Sequence, residues 1–461
     1  MKPVTNVAAD LEARAASFVK ENRLPGAAVG VVHGTDLAWS AGVGFADVST
    51  RRSPKATTLH RMASITKTFT GTAVMRLHED GRLHLDDPAV AYLPELRGMT
   101  SAFGPVETVT IRRMLSHESG LASEPPGTDW TMPVYEGAPG RTLERAAEIG
   151  TKVRPNTQLK YSNLAYQLLG EIVARVSQTP YPQYVKEEIL DPLAMSATGF
   201  EPLPAMLDDR RATGYAPRAL SDELDPARAV PRVWAEGGLW SCVEDLARWV
   251  AFQLGAHADR PRPSPVLAAA PLRGMHKPRY LGDDAWTLAW GVSWYAIRRD
   301  DVVWIQHSGN LPGFSANVCF DPRRQVGAVA LINGTGDAAG LAMDLATIAR
   351  GAVSAARPAV EPPATTPDAY RALLGIYASS DLGLFLRLEW RDGKLMFVDP
   401  DEADWRPVLA PTGDPDTFIV EPGCRQSGEP AIFRRLADGR VASVHLAAMT
   451  LIRLDRVGPA S

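Results

Sequence analysis

The sequence predicts an α+β fold followed by a small all-β domain. Strand-like runs open the chain and return after a block of helix-like segments, and a proline-rich run precedes a last stretch with strand-like patterns only. A sheet assembled from both ends of one domain, with helices inserted between them, is an α+β arrangement. We therefore expect a first domain over 1–354 with a helical subdomain over roughly 82–230, a linker over 355–368 and a β-barrel-like accessory domain over 369–461.

The first half of the chain alternates between the two periodicities. Two glycine-rich, β-branched runs, 27–34 and 37–48, predict a hairpin that turns at residues 34–36. Before them, apolar residues at helical spacing predict an N-terminal helix. After them, the same spacing predicts further helices. Gly81 is expected to cap the C-terminus of the first of these, and Thr110 to cap the N-terminus of the next. These helices are expected around Leu11, Ala15, Phe18 and Val19, and over 64–80, 108–115, 162–176 and 242–254.

The second half returns to strands. Strands are expected at 287–297, 302–306, 314–321 and 326–334, with a polar turn at 298–301, and a helix at 341–353 closes the domain. Beyond the linker, Asp392-Gly393 and Asp438-Gly439 predict two hairpins of a small barrel or meander. Residues 123–140 hold four prolines without periodicity, and so long an irregular loop is typical of a functional segment.

Composition excludes several classes of function. The 49 Lys and Arg against 53 Asp and Glu give a net charge of -4, which disfavours a nucleic-acid binder. No apolar run approaches the roughly 20 residues needed to span a bilayer, so no membrane partner is expected. The three cysteines are widely spaced and the N-terminus lacks the apolar core of a secretory signal, which together indicate a cytoplasmic protein.

Several catalytic signatures are missing from the sequence. No H-E-x-x-H motif and no cysteine pair at zinc spacing occurs, so no metal site is expected. Neither glycine-rich nucleotide motif is present, and we expect no cofactor. The run 313–317 lacks the last glycine of a G-x-S-x-G elbow, which counts against an α/β-hydrolase.

Ser64-Ile65-Thr66-Lys67 is the informative motif. A serine and a lysine three residues apart lie on the same face of a helix, within reach of each other. A lysine with a lowered pKa can take the proton of the serine and activate it as a nucleophile. Taken alone, S-x-x-K is weak, because serine is a common cap at the start of a helix.

Two further motifs strengthen this interpretation. Tyr161-Ser162-Asn163 opens the helix at 162–176; a tyrosine can act as a base and an asparagine amide can hold a substrate carbonyl. His307-Ser308-Gly309-Asn310 is expected to end a strand, which would leave a main-chain N–H free to polarise a carbonyl oxygen beside the N–H of Ser64. Taken singly, the tyrosine and the histidine are ordinary core residues; the order and separation of all three motifs are informative.

With these motifs the chain resembles the serine β-lactamase and penicillin-binding-protein superfamily, in particular its class C-like branch of DD-peptidases, D-aminopeptidases, esterases and some acyltransferases. The runs LSHESGL at 115–121 and EGGLWSCVEDLARW at 236–249 support the resemblance, which covers roughly 8–352. It implies a β-lactamase/transpeptidase-like antiparallel sheet flanked by helices, with the site between sheet and helical subdomain. The C-terminal region resembles the small lipocalin-like β modules of some relatives.

The resemblance also assigns roles to residues. It implies that Ser64 is the nucleophile, that Lys67 and Tyr161 share the general-base work, and that Asn163 orients the acyl side chain. The N–H groups of Ser64 and Asn310 would form the oxyanion hole, and the strand residues His307, Ser308 and Gly309 would line the pocket. His307 stands where lactamases carry the lysine of K-T-G, which puts efficient lactam hydrolysis in doubt.

These observations predict a serine hydrolase or acyltransferase that cleaves a small ester, amide or peptide through an acyl-serine intermediate. The alternative within the enzyme class is a β-lactamase, a DD-carboxypeptidase or a D-aminopeptidase. The missing secretory signal counts against the β-lactamase and the DD-carboxypeptidase, because their targets lie outside the cytoplasm. A catalytically silent binding or sensor protein is the alternative outside it.

Overall fold

The computed structural model forms two compact units, Met1–Ala356 and Arg357–Ser461. It describes residues 3–127, 141–201, 203–217, 224–226, 234–258, 260–261, 263–283, 287–299, 302–356, 367–379, 384–391, 393–399, 406–447 and 449–454. Parts of the expected loop at 123–140, of the turn at 298–301, of the linker and of the Asp392-Gly393 turn lie outside these residues. None of the described helices combines the length and the apolar character needed to cross a bilayer.

The helices and strands follow in chain order. The helices are α1 (Ala8–Glu21), α2 (Thr66–Glu79), α3 (Ala89–Tyr92), α4 (Ile111–Leu115), α5 (Arg141–Glu144), α6 (Asn163–Ser177), α7 (Tyr181–Val185), α8 (Val243–Gly255), α9 (Ala269–His276), α10 (Ala338–Ala356) and α11 (Asp368–Arg371). The strands of the first unit are β1 (Gly26–His33), β2 (Asp36–Gly44), β3 (His60–Arg61), β4 (Tyr215–Pro217), β5 (Leu224–Pro226), β6 (Trp240–Ser241), β7 (Tyr280–Leu281), β8 (Leu288–Trp290), β9 (Tyr295–Arg299), β10 (Val302–Leu311), β11 (Phe314–Asp321) and β12 (Val326–Ile332). Those of the second unit are β13 (Gly375–Ser379), β14 (Leu384–Arg391), β15 (Lys394–Val398), β16 (Val408–Pro411), β17 (Thr417–Val420), β18 (Pro430–Arg435), β19 (Val441–Leu446) and β20 (Met449–Leu454).

One antiparallel sheet organises the first unit, in the order β2-β1-β12-β11-β10-β9-β8-β7. Strands from both ends of the domain meet where β1 pairs with β12. Alternate residues of β1 point to opposite faces: Val29 and Val31 pack with α1 and α10, whereas Ala28 and Val32 join the core that contains α2, α6 and α8. The expected α+β fold is confirmed.

The expected strand at 287–297 was wrong in its middle, because residues 291–294 form a turn between β8 and β9. The N–H of Ser293 donates to Leu115 O at 3.1 Å, and Ser293 has a positive φ of 62°. A Cβ at Gly291 would lie 2.3 Å from Met275 O. Tertiary contacts with α4 and α9 therefore override the strand-like composition.

The linker over 355–368 stays a prediction, and two helices reach into its ends. Helix α10 runs to Ala356, two residues into the expected linker, and α11 already includes Asp368. Ala355 and Ala356 are strong helix formers, so α10 continues beyond the apolar periodicity that predicted a helix over 341–353. The boundaries of the helical subdomain at 82 and 230 stay a prediction.

The second unit is a closed barrel of eight strands, as expected for a lipocalin-like module. Its interior is filled by apolar side chains, among them Phe397, Phe418 and Phe433 around Tyr377. The Tyr377 hydroxyl donates to Leu373 O at 2.6 Å, so the one buried phenol has a partner.

Candidate active site

Ser64 lies in a short 3-10 turn, Ala63–Ile65, that leads directly into α2. Ala63 adopts the left-handed region with φ 47°, a conformation that costs free energy for a residue with a Cβ and that is typical of functional sites. The turn is fixed from two sides: Met62 N donates to Leu239 O at 3.0 Å, and Ile65 N donates to Met62 O at 3.2 Å. Ser64 is therefore held by main-chain contacts on a strained turn.

Lys67 contacts Ser64 as its spacing predicts. The Nζ atom donates to Ser64 Oγ at 3.0 Å and to Glu236 O at 2.6 Å, and the side chain is fully buried. Burial lowers the pKa of Lys67 to about 7, while the carboxylates of Glu236 and Glu124 oppose this shift. A lysine with such a pKa is partly neutral at physiological pH and can accept a proton from Ser64.

Tyr161 is the third member of the cluster. Its ring centroid lies 5.0 Å from Lys67 Nζ. Burial raises the pKa of Tyr161; the Ser64 side chain opposes this shift and the Glu124 carboxylate adds to it. The phenol therefore stays neutral beside Ser64.

The ring of His117 packs against the ring of Tyr161. The two rings are 4.2 Å apart between centroids, and His117 Nδ1 accepts the N–H of Ser162 at 3.1 Å. The proton of the neutral ring is thus assigned to Nε2. Burial, together with the charge of Lys67, lowers the pKa of His117 well below its usual value.

The strand β10 brings the third motif to the site: residues 307–310 lie near its end, and the strand stops one residue later, at Leu311. Leu311 still pairs with Phe314, and the chain turns only at Pro312-Gly313, where Gly313 has φ 81°. A Cβ at Gly309 would lie 2.0 Å from Met62 O, which shows how closely this strand packs on the Ser64 turn.

His307 is buried and uncharged in this strand. Its Nδ1 donates to Ser308 O at 2.7 Å, because a carbonyl oxygen can only accept, and burial lowers the pKa of the imidazole to about 3. The hydroxyl of Ser308 lies 2.7 Å from Tyr295 Oη and accepts from Asn317 Nδ2 at 2.9 Å. Its side chain is thus engaged by the neighbouring strands β9 and β11.

Asn163, the first residue of α6, donates through Nδ2 to Glu124 Oε1 at 2.8 Å. Asn310, near the end of β10, is exposed. The oxyanion hole formed by the N–H groups of Ser64 and Asn310 stays a prediction. Residues 128–140 of the expected functional loop, and 218–233 apart from 224–226, lie outside the described residues.

The structure adds three residues that the sequence did not assign. Glu236 and His117 occur in the two supporting runs, yet nothing in a sequence shows that their side chains face Lys67. Glu124 follows LSHESGL by three positions and carried no signal of its own. Within the described ranges, no three His, Cys, Asp or Glu side chains gather as metal ligands would.

Comparison with known proteins identifies the family. The sequence model of the Beta-lactamase family matches residues 11–352. The chain belongs to the beta-lactamase family. The resemblance drawn from the three motifs is thereby confirmed, and members of this family are serine hydrolases.

Among relatives of this beta-lactamase family protein, protein flp of Staphylococcus aureus (strain COL) is 27% identical over 329 residues, covering 68% of this chain and 61% of flp. The chain thus spans less than two thirds of the length of that relative. The octameric penicillin-binding protein homologue from Pyrococcus abyssi has a TM-score of 0.64 at 22% identity, over 96% of this chain and 99% of the other. A D-stereospecific amidohydrolase from Streptomyces sp. has a TM-score of 0.61 at 21% identity, over 74% and 98%. These structures share the fold.

Proposed function

We propose that this protein is a serine hydrolase or acyltransferase that cleaves an ester or amide through an acyl-Ser64 intermediate. The contact of 3.0 Å between Lys67 Nζ and Ser64 Oγ carries the proposal, because it places a buried amine of lowered pKa on the hydroxyl that must lose its proton. An intact nucleophile and base count against a silent binding or sensor protein.

The reaction follows from these contacts. Ser64 Oγ attacks the carbonyl carbon while its proton passes to Lys67 Nζ; a carbon–oxygen bond forms and the carbonyl π electrons move to the oxygen. Collapse of this intermediate breaks the bond to the leaving group, which takes the proton from Lys67. A water molecule or another nucleophile then attacks the acyl carbon and gives up a proton to Lys67. The bond between the acyl carbon and Ser64 Oγ breaks, and Lys67 returns the proton to Ser64 Oγ.

Tyr161 serves this sequence as a neutral hydroxyl. Its raised pKa argues against a phenolate base, and its place beside Ser64 and Lys67 suits a group that passes a proton between Ser64 and the leaving group. Lys67 is accordingly the base that starts the reaction, with Tyr161 beside it as a proton carrier.

His307 narrows the substrate class. A neutral imidazole offers no positive charge to a carboxylate, so substrates that lack a carboxylate near the scissile bond are favoured over β-lactams and over peptides with a free C-terminus. We include a cytoplasmic location in the proposal, supported by the free thiols of all three cysteines, two of them buried.

The test is acylation of the serine itself. Ser64→Ala should lose covalent labelling by a fluorophosphonate probe and keep less than about a thousandth of wild-type kcat on an activated ester. Its free energy of unfolding should change by only about 1 kcal/mol, because one hydrogen bond is lost. Ser17→Ala, on the exposed side of α1, is the matched control and should label normally. Labelling that persists in Ser64→Ala would refute the nucleophile assignment.

A further inference from the structure

The side chain of Glu236 has no role in the reaction described above. Only its main-chain oxygen holds Lys67, yet the residue carries a carboxyl group that is 2% exposed. Oε2 accepts the N–H of Trp234 at 3.3 Å, and Oε1 has no hydrogen-bond partner among the described residues. A buried carboxylate with an unbonded oxygen destabilises a fold unless a nearby charge or a proton compensates it.

The main chain around Glu236 is fixed against α2 without help from the carboxyl group. Thr70 Oγ1 donates to Ala235 O at 2.6 Å, and Leu239 N donates to Thr66 Oγ1 at 3.2 Å. The contact of Lys67 with Glu236 O lies between these two bonds along the chain. A change of the Glu236 side chain should therefore leave the position of Lys67 intact.

Three ionisable groups face the Glu236 carboxyl from the elements packed around it. They are Lys67 on α2, Glu124 in the segment after α4, and Tyr181 on α7. Lys67 is the only cation in this set, and Glu236 is a stronger electrostatic partner of Lys67 than Glu124 is. Burial raises the pKa of Glu236 while it lowers that of Lys67, so the two groups compete for one proton.

We propose that Glu236 is a positioning residue that sets the charge of Lys67 and thereby fixes the lower pH limit of attack by Ser64. This inference rests on the proposed function. Lys67 must be neutral to accept the Ser64 proton, and an adjacent carboxylate favours its ammonium form. Acylation in the native protein therefore begins at a higher pH than burial of Lys67 alone would allow.

The experiment measures the rate of Ser64 acylation by p-nitrophenyl acetate as a function of pH. In the wild type this rate should rise with pH along an acid limb, as Lys67 loses its proton. In Glu236→Gln the acid limb of the pH–rate profile should move to lower pH by about one unit, because an opposite charge beside Lys67 is gone. Glu236→Asp, which keeps a carboxylate, should return the limb towards the wild-type position. Glu244→Gln, a matched control in the first turn of α8, should leave the limb in place. An acid limb of Glu236→Gln that is unmoved, or that moves to higher pH, overturns the proposal.

A second measurement does not depend on activity or on the folding of Glu236→Gln. In protein labelled with ¹³C at lysine Cε, the Lys67 resonance, assigned by its loss in Lys67→Met, should titrate in two steps in the wild type. A single step overturns the proposal. A wild type that shows two steps but is not acylated at any pH would refute the proposed function and leave the Lys67–Glu236 coupling supported.

Discussion

Gly309→Ala tests whether close packing of β10 on the Ser64 turn positions the nucleophile. The new Cβ would lie 2.0 Å from Met62 O and 3.0 Å from Ala63 Cβ, whereas an ordinary van der Waals contact begins at 3.4 Å. The strand and the turn must therefore separate by more than an ångström. Because Met62 O also accepts the N–H of Ile65, the shift passes directly to the turn that carries Ser64.

A misplacement of about 1 Å costs on the order of 100-fold in rate, or about 2.7 kcal/mol of transition-state stabilisation. We expect this loss in kcat/KM for p-nitrophenyl acetate, measured below the unfolding temperature of the variant. Gly351→Ala is the matched control, since a Cβ there meets open space on an exposed face of α10, and its activity should match the wild type. A folded Gly309→Ala with kcat/KM within about threefold of the wild type would show that the packing does not position Ser64.

Two further predictions concern the reaction of the protein with penicillin and its stability at low pH. An activated ester should turn over, whereas penicillin should leave a slowly hydrolysed adduct on Ser64, because the leaving group of an opened lactam stays attached to the acyl group and can block water. The neutral His307 should also attract the lactam carboxylate less than a lysine would. Intact-protein mass and steady-state assays check this, and penicillin turnover with kcat/KM of about 10⁴ M⁻¹s⁻¹ or more would contradict it. Acid should destabilise the first unit. Burial lowers the pKa of His60 and of His257 to about 4, from about 6.5 in the unfolded chain. Their contribution to the free energy of unfolding is therefore complete above pH 6.5 and is lost as the pH falls towards 4. The free energy of unfolding, measured by urea titration, should therefore fall between pH 7 and pH 5 by about 2 kcal/mol for each such histidine. An unchanged free energy would refute the assignment.

Periodicity predicts most of the elements because the core is built from regular amphipathic faces. The four apolar residues that predicted the first helix, Leu11, Ala15, Phe18 and Val19, are the buried residues of α1. The same holds for the site motifs, since a spacing of three residues on a helix fixes the contact between Ser64 and Lys67 before any tertiary structure is known.

The features that the sequence did not predict depend on contacts made only after folding. The turn at 291–294 is set by α4 and α9, which are distant in sequence. The influence of Glu236 on Lys67 arises because two segments 169 residues apart are buried together. A local pattern holds no information on the electrostatic environment that such burial creates.

The closure of the second unit has a consequence for association between molecules. Each of the strands β13 to β20 pairs with two neighbours, so the described barrel presents no open row of N–H and C=O groups. An open row is the template on which a strand from another chain adds, and it is the usual starting point of strand exchange and aggregation. The main sheet of the first unit ends instead at β2 and at the two-residue strand β7. Within the described residues, a strand recruited from another molecule therefore finds no edge in the barrel and has to add to a sheet of the first unit.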